Sequence, residues 1–294
     1  MKIVIFTRTG FHHTSFINRL QEKFEVACVV REAYPEICRE SRFHVMMKNA
    51  LKRNGRQKIM DSLYLREFHE KFSAGFRYHR RLKDFLKSPF DLVIERPGTK
   101  YVNVKCGEIN IDGFVSFLEG LGPDLIAVLG SSVITPRVIS IPLHGMINLH
   151  SGLSPYYRGT WSYGWPIVNG EPEYIGVTVH HVDPGIDTGD IIYQTRPVLD
   201  GHDDLNAIFL KVIAEGIELV TEAIEKMLNK GTVVSYKQEK ENGRLYRSRD
   251  LDAGFARRCL ANLEEGVIRR YNAGKLEADA KVPLLGYVPP KFFA

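Results

Sequence analysis

The sequence predicts an α/β protein built on a Rossmann-like, mostly parallel sheet with helices on both faces, a helical insertion, and a short, mainly helical C-terminal extension. Three observations predict it. The chain opens strand, helix, strand: residues 2–6 and Glu25 to Val30 are apolar after a leading Lys2 and Glu25, and Phe11 to Phe24 between them places Phe16, Ile17, Leu20 and Phe24 on one helical face. Strands apolar along their whole length are buried on both faces, and a helical crossover between them makes a right-handed parallel pair. A third apolar run, Leu125 to Leu129, lies between Gly122-Pro-Asp124 and Gly130, as a central strand should. Finally, Gly145 to His150 and Ile175 to His181 are short strands that run into loops rich in Gly and Pro.

The first turn carries only Gly10, so the glycine fingerprint of a dinucleotide site is missing and a nicotinamide enzyme is disfavoured. Residues 31–89 leave the sheet. Helices are expected at about Arg42 to Lys52, Lys58 to Phe72 and Phe76 to Leu86, the second with Leu63, Phe68 and Phe72 at helical spacing. From Arg39 to Lys87 there are fourteen Lys or Arg against five Asp or Glu. This basic insertion reads either as a solvated helical face or as a flap that meets an anionic substrate, a membrane surface or a partner. The sheet is expected to resume at Asp91 to Glu95 and Tyr101 to Val104. A helix from Asn110 to Leu121 buries Phe114, Phe117 and Leu118. Thr160 is placed to cap a helix from Trp161 to Val168, and Arg196 to Leu199 to finish an outer strand. Asp203 is placed to cap a long amphipathic helix, Leu205 to Leu228. The tail holds a strand-like piece at Thr232 to Tyr236, a basic turn at Gly243 to Arg247, and helices near Phe255 to Leu263 and Glu265 to Tyr271. The domain reading is a catalytic unit over residues 1–200 and a helical extension over 201–294.

The totals bound the function. The 294 residues are 44% hydrophobic with net charge +5, an ordinary globular balance with a mild excess suited to an anionic substrate rather than to coating a nucleic acid. The four cysteines, Cys28, Cys38, Cys106 and Cys259, are scattered without zinc spacing. A membrane span and a signal peptide are not expected, and a reduced, cytoplasmic setting is. A homodimer is compatible with the sequence.

The chemistry gathers between Gly145 and Gln194. Asn148 and His150 alternate on one strand and so face the same way. The loop from Asp183 to Asp190 returns carboxylates, Asp187 among them, to the strand ends. An amide, an imidazole and a carboxylate on one sheet edge suit acyl transfer, with oxyanion support and a proton relay. His180, His181 and Asp183 do not make a metal cluster, because adjacent residues of a strand point to opposite faces.

The order Asn148-Leu-His150, Leu153-Ser-Pro155-Tyr-Tyr-Arg158-Gly159, Gly176-Val-Thr-Val-His180 and Asp187-Thr-Gly-Asp190 resembles the folate-dependent formyltransferase family. That family includes methionyl-tRNA, glycinamide ribonucleotide and sugar N-formyltransferases. The resemblance implies the formyltransferase fold, 10-formyltetrahydrofolate as co-substrate, no metal, and Asn148, His150 and Asp187 as the catalytic trio. It places Ser132, Val133 and Ile134, partly through their main chain, and Asp183 and Gly185 against the folate. Tyr157, Arg158, Gly159, Thr160 and Trp161 fall in the segment that meets the acceptor. Trp161, Tyr163 and Trp165 read either as a stacking platform or as core. One departure stands out. The family's His-x-Ser-Leu-Leu-Pro reads His150-Ser-Gly152-Leu-Ser154-Pro155 here, which leaves open whether Ser151 supplies the missing hydroxyl. Three functions remain open at this point. The first is N-formylation of a small amine, with a nucleotide-linked amino sugar favoured. The second is formylation of methionyl-tRNA, less favoured because the tail looks too helical for the β-barrel that helps those enzymes hold tRNA. The third is a non-catalytic folate- or protein-binding module.

Overall fold

The computed structural model describes residues 1–34, 55–78 and 92–292. The elements in order are β1 (Ile3–Thr7), α1 (Phe11–Lys23), β2 (Val26–Glu32), α2 (Gly55–Tyr78), β3 (Lys100–Val104), α3 (Asp112–Leu121), β4 (Leu125–Leu129), α4 (Pro136–Ile139), β5 (Met146–His150), β6 (Tyr157–Gly159), α5 (Trp165–Asn169), β7 (Val177–His181), β8 (Ile191–Thr195), α6 (Leu205–Lys230), β9 (Arg244–Tyr246), α7 (Ala253–Glu264), α8 (Val267–Ala273) and α9 (Lys275–Ala280). The main sheet has the order β3-β2-β1-β4-β5-β7-β8. The β1–β2, β2–β3, β1–β4 and β4–β5 pairs are parallel, and β7 and β8 add to the edge antiparallel.

β1 and β4 are buried at every position, as their apolar runs require. One face of the sheet packs Ile3, Ile5, Ile147 and Leu149 under α1 and α6, and the other packs Val4, Phe6, Ile126 and Met146 under α3. α6 is long because its apolar stripe runs across the sheet and both ends are capped. Asp204 accepts a hydrogen bond from the Ala207 amide at 2.8 Å, and Gly231 closes the helix in the left-handed region.

Several expectations are corrected here. Leu92 to Glu95 is not a strand. The Asn18 side chain bonds both the Leu92 carbonyl and the Ile94 amide, so one amide side chain satisfies the backbone where a strand neighbour was expected. The outer strand is Ile191–Thr195 and ends before Arg196. The 161–168 helix shrinks to α5, which starts at Trp165. Pro166 lacks an amide hydrogen and fits only a first helical turn. Asp203 does not cap α6; it is buried against the Lys211 ammonium at 2.5 Å. Thr232 to Tyr236 pairs only through Tyr236, with Ile191, and the basic turn at 243–247 contains a strand, β9, paired in parallel with β6. Of the insertion helices, Lys58 to Phe72 lies within α2. The expected helix from Arg42 to Lys52, and the part of Phe76 to Leu86 beyond Tyr78, lie outside the described residues. α2 is held by Phe68 and Phe72 against Trp161, and by an Asp61–Arg257 ion pair at 2.7 Å to α7. Among the described residues no helix is long and apolar enough to cross a membrane.

Lys211→Met should destabilise the protein by about 3 kcal/mol, because it leaves the Asp203 carboxylate buried without its cation. Thermal or denaturant unfolding would measure this. Adding Asp203→Asn should recover much of the loss.

Candidate active site

β5 carries Asn148 and His150 to the C-terminal edge of the parallel strands, on one face of the sheet. The loop after β7 brings Asp187 to meet them. The Asp187 Oδ2 atom lies 3.3 Å from His150 Nδ1, and the Asn148 amide donates to Oδ1 at 3.4 Å. The expected trio is therefore assembled. His150 is 5% exposed and the Asp187 side chain 15%, so the pair sits largely out of water.

Two further groups complete the cluster. His180 Nε2 lies 3.5 Å from Asp187 Oδ1 and 3.1 Å from the Asn148 amide nitrogen. The Gly159 amide donates to Asp187 Oδ2 at 2.8 Å. Sequence reasoning weighed His180 only as a metal ligand. The signal that finds it is the antiparallel register, in which His180 pairs directly with Asn148. Among the described residues no group of His, Cys, Asp or Glu is arranged to hold a metal ion.

The electrostatics follow from these contacts. Burial alone would raise the Asp187 pKa. The two imidazoles and the Gly159 amide outweigh it and hold the carboxyl well below its ordinary range. Burial depresses the His150 pKa, opposed by the Asp187 charge and the Tyr157 carbonyl, so the resting pair is an anion beside a reluctant base. Both His150 ring nitrogens nonetheless face oxygen acceptors: Nε2 donates to the Tyr157 carbonyl at 2.7 Å, and Nδ1 faces Asp187. A neutral ring with its hydrogen on Nε2 turns the Nδ1 lone pair toward the carboxylate. That nitrogen is therefore where a proton would be accepted.

Backbone shape holds the cluster. Asp187 has φ +50°, in the left-handed region that Asp tolerates better than most residues. Its loop is closed by Asp183, whose Oδ1 accepts from the Gly185 amide at 3.0 Å and from the Thr188 hydroxyl at 2.5 Å. A Cβ at Gly185 would fall 1.9 Å from Thr188 Oγ1. Asp183 and Gly185 thus shape the loop that delivers Asp187. On the other loop, a Cβ at Gly152 would lie 2.5 Å from Ser162 Cβ and 2.8 Å from His150 Nε2. The departure from the family pattern has a physical reason: Ser162 occupies the space a side chain at position 152 would need. Thr178 bridges the Gly152 carbonyl and the Ser154 amide beneath it, which steadies the turn.

The remaining expected site residues divide. The Ser132 amide and hydroxyl both donate to Glu32 at 2.6 Å, and Asn110 donates to the Val133 carbonyl at 2.9 Å. Ile134 is buried, and the Val133 side chain, 66% exposed, projects from this clamped loop. Tyr157 is 1% exposed and is core rather than open to an acceptor. The Thr160 amide donates to the Tyr246 carbonyl, and its own carbonyl accepts from Trp165. Trp161 packs among Phe72, Tyr163 and Phe255, with ring centroids 4.8 to 5.6 Å apart, so it anchors α2 and α7 instead of offering a free ring. Arg158 is half-buried; its Nε is buried without a hydrogen bond, and its charge reaches His150. A separate cavity of about 540 Å³, lined by Phe68, Phe72, Leu205, Leu263 and Arg269 among others, includes none of the trio.

Residues 101–224 match the family model described as formyl transferase. That stretch is similar to the formyl transferases. It spans β3 to most of α6 and contains the whole trio. The methionyl-tRNA formyltransferase of Thermodesulfovibrio yellowstonii is 34% identical over 156 residues, 50% of this chain and 50% of that protein. The chain spans about half the length of the curated relatives it matches. A sugar N-formyltransferase from Shewanella sp. FDAARGOS_354 shares the fold with TM-score 0.52 at 15% identity, covering 88% of each chain. An N-formyltransferase from Helicobacter canadensis, solved with folinic acid and dTDP-3-aminofucose, aligns with TM-score 0.51 at 16% identity, over 88% of this chain and 80% of that one.

Asp187→Asn keeps a residue that accepts the left-handed backbone and removes only the anion. It should lower turnover by about 100-fold, as loss of one acid–base group does. Gly152→Ala pushes on the His150 ring and should lower turnover by roughly tenfold or more through misplacement alone. Steady-state kinetics of both, with circular dichroism to confirm folding, would check this; near-normal turnover in both would remove the site.

Proposed function

We propose that the protein transfers a formyl group from 10-formyltetrahydrofolate to a primary amine, with a nucleotide-linked amino sugar as the favoured acceptor. The observation that carries this reading is the half-buried Asp187 carboxylate set against Asn148, His150 and His180 inside the segment that matches the formyl transferases.

The chemistry of that arrangement is as follows. The acceptor nitrogen attacks the formyl carbon, a C–N bond forms, and the carbonyl oxygen becomes an oxyanion. The Asn148 amide, whose two hydrogens rest on Asp187 and His180, turns one of them to that oxygen. The proton leaving the attacking nitrogen passes to His150 Nδ1, and the Asp187 anion 3.3 Å away stabilises the ring that receives it. The Tyr157 carbonyl occupies Nε2, so the ring contributes positive charge once Nδ1 is protonated rather than a direct bond from Nε2. As the oxyanion re-forms the carbonyl and the bond to the folate N10 breaks, that proton is delivered to N10. No covalent intermediate on the protein is needed.

Two features support a phosphate-bearing acceptor. The Arg158 guanidinium is half-buried with its charge reaching His150, and a guanidinium is well matched to phosphate oxygens. The Helicobacter canadensis protein, of the same fold, was solved with dTDP-3-aminofucose. A second reading, methionyl-tRNA as acceptor, is favoured by the sequence identity to the methionyl-tRNA enzymes across the shared segment.

Incubation with 10-formyltetrahydrofolate and a panel of nucleotide-linked amino sugars, beside charged methionyl-tRNA, distinguishes these. The expected result is a one-formyl mass gain on an amino sugar. Gain on the tRNA alone, falling steeply with salt, would select the second reading. No gain on any amine would reject formyl transfer.

A further inference from the structure

We propose that β9, a strand from the C-terminal part of the chain, is a positioning element that locks His150 and Asp187 through the opposite edge of β6, with Arg244 as its clamp. The inference rests on the formyl-transfer reading only in treating that pair as catalytic.

β6 has two backbone edges. One edge faces the pair: the Tyr157 carbonyl accepts from His150 Nε2 at 2.7 Å, and the Gly159 amide donates to Asp187 at 2.8 Å. The other edge pairs with β9 in register Tyr157–Arg244, Arg158–Leu245 and Gly159–Tyr246. The pairing is extended at both ends, by Arg244 N to Tyr156 O at 2.9 Å and Thr160 N to Tyr246 O at 2.8 Å. A three-residue strand has little stability alone. Its position, and so the direction of the two groups that hold His150 and Asp187, depends on what covers the second edge.

Two glycines permit the approach. A Cβ at Gly159, which has φ +92°, would fall 2.0 Å from the Tyr246 carbonyl, and one at Gly243 would fall 1.9 Å from the Pro155 carbonyl. The side chains then fasten the pair. Arg244 binds Glu171 through both terminal nitrogens, at 2.7 and 3.0 Å, and donates to the Tyr157 hydroxyl at 2.8 Å. The Tyr157 hydroxyl donates to Glu171 in turn, and Asn169 donates to the hydroxyls of both Tyr157 and Tyr246. Tyr246 stacks on Trp165 at 4.0 Å. The clamp thus closes on the residue whose carbonyl orients the imidazole.

The test is the exchange of the His150 ring hydrogen in ¹⁵N-labelled protein, assigned by its loss in His150→Gln. In the unsubstituted protein the Nε2 hydrogen should be protected by the Tyr157 carbonyl. In Gly243→Ala and Arg244→Met it should exchange at least about tenfold faster, with kcat falling by roughly tenfold and the folate KM held within about twofold. Glu171→Gln, which keeps the shape and removes the charge under Arg244, should fall between. If Gly243→Ala does not fold, the other two variants decide, since they change a clamp at the surface. Unchanged ring exchange in folded Arg244→Met and Glu171→Gln would overturn the proposal, as would an unprotected Nε2 hydrogen in the unsubstituted protein. Absence of turnover on every acceptor defeats the formyl-transfer reading instead, and the exchange measurement still judges the positioning.

Discussion

The structure of the site depends on one negative charge held largely out of water. A carboxylate out of water is costly unless several donors or cations meet it. Asp187 meets two donors, the Asn148 amide on β5 and the Gly159 amide on β6, and lies 3.3 and 3.5 Å from the imidazoles of His150 on β5 and His180 on β7, which become cations beside it on protonation. The need to satisfy that charge accounts for the convergence of side chains from β5 and β7 and an amide of β6 at one point. It also explains a left-handed backbone at an aspartate, because the loop must turn sharply to aim the side chain inward.

The supporting loops are shaped by close approach. Gly152, Gly185 and Gly159 each lie where a side chain would meet an atom of the site or of its clamp. Ser162 fills the space over Gly152, and Thr188 fills the space at Gly185. The loop after β4 is held in a similar way by a buried carboxylate. Glu32 receives three donors, from Ser132 twice and from Gly107, with Arg8 at 3.5 Å. Two rigid walls thus stand at the C-terminal ends of the strands, where ligands of open α/β sheets bind.

The sheet and the trio were legible because their signals are short-range. Continuous apolar runs gave β1, β2 and β4, and alternation along β5 put Asn148 and His150 on one face. What escaped depends on contacts between segments distant in sequence. The tie from Asn18 to Leu92 and Ile94, the pairing of β9 with β6, and the packing of Trp161 against α2 leave no local pattern. Asp203 and Asp204 are indistinguishable as caps in the sequence; only the buried partner Lys211, one face along α6, separates them. Likewise the meaning of Gly152 appears only once Ser162 is seen above it.

Everything proposed for the reaction requires Asp187 to be an anion inside the protein. The direct measurement is the pH titration of its carboxyl carbon by ¹³C NMR in the folded protein, assigned by Asp187→Asn. The account predicts an ionised carboxyl with no inflection from pH 7 down to about 4, the ordinary aspartate value. A carboxyl that takes up a proton above that value would contradict it, because burial would then have won over the imidazoles and the Gly159 amide.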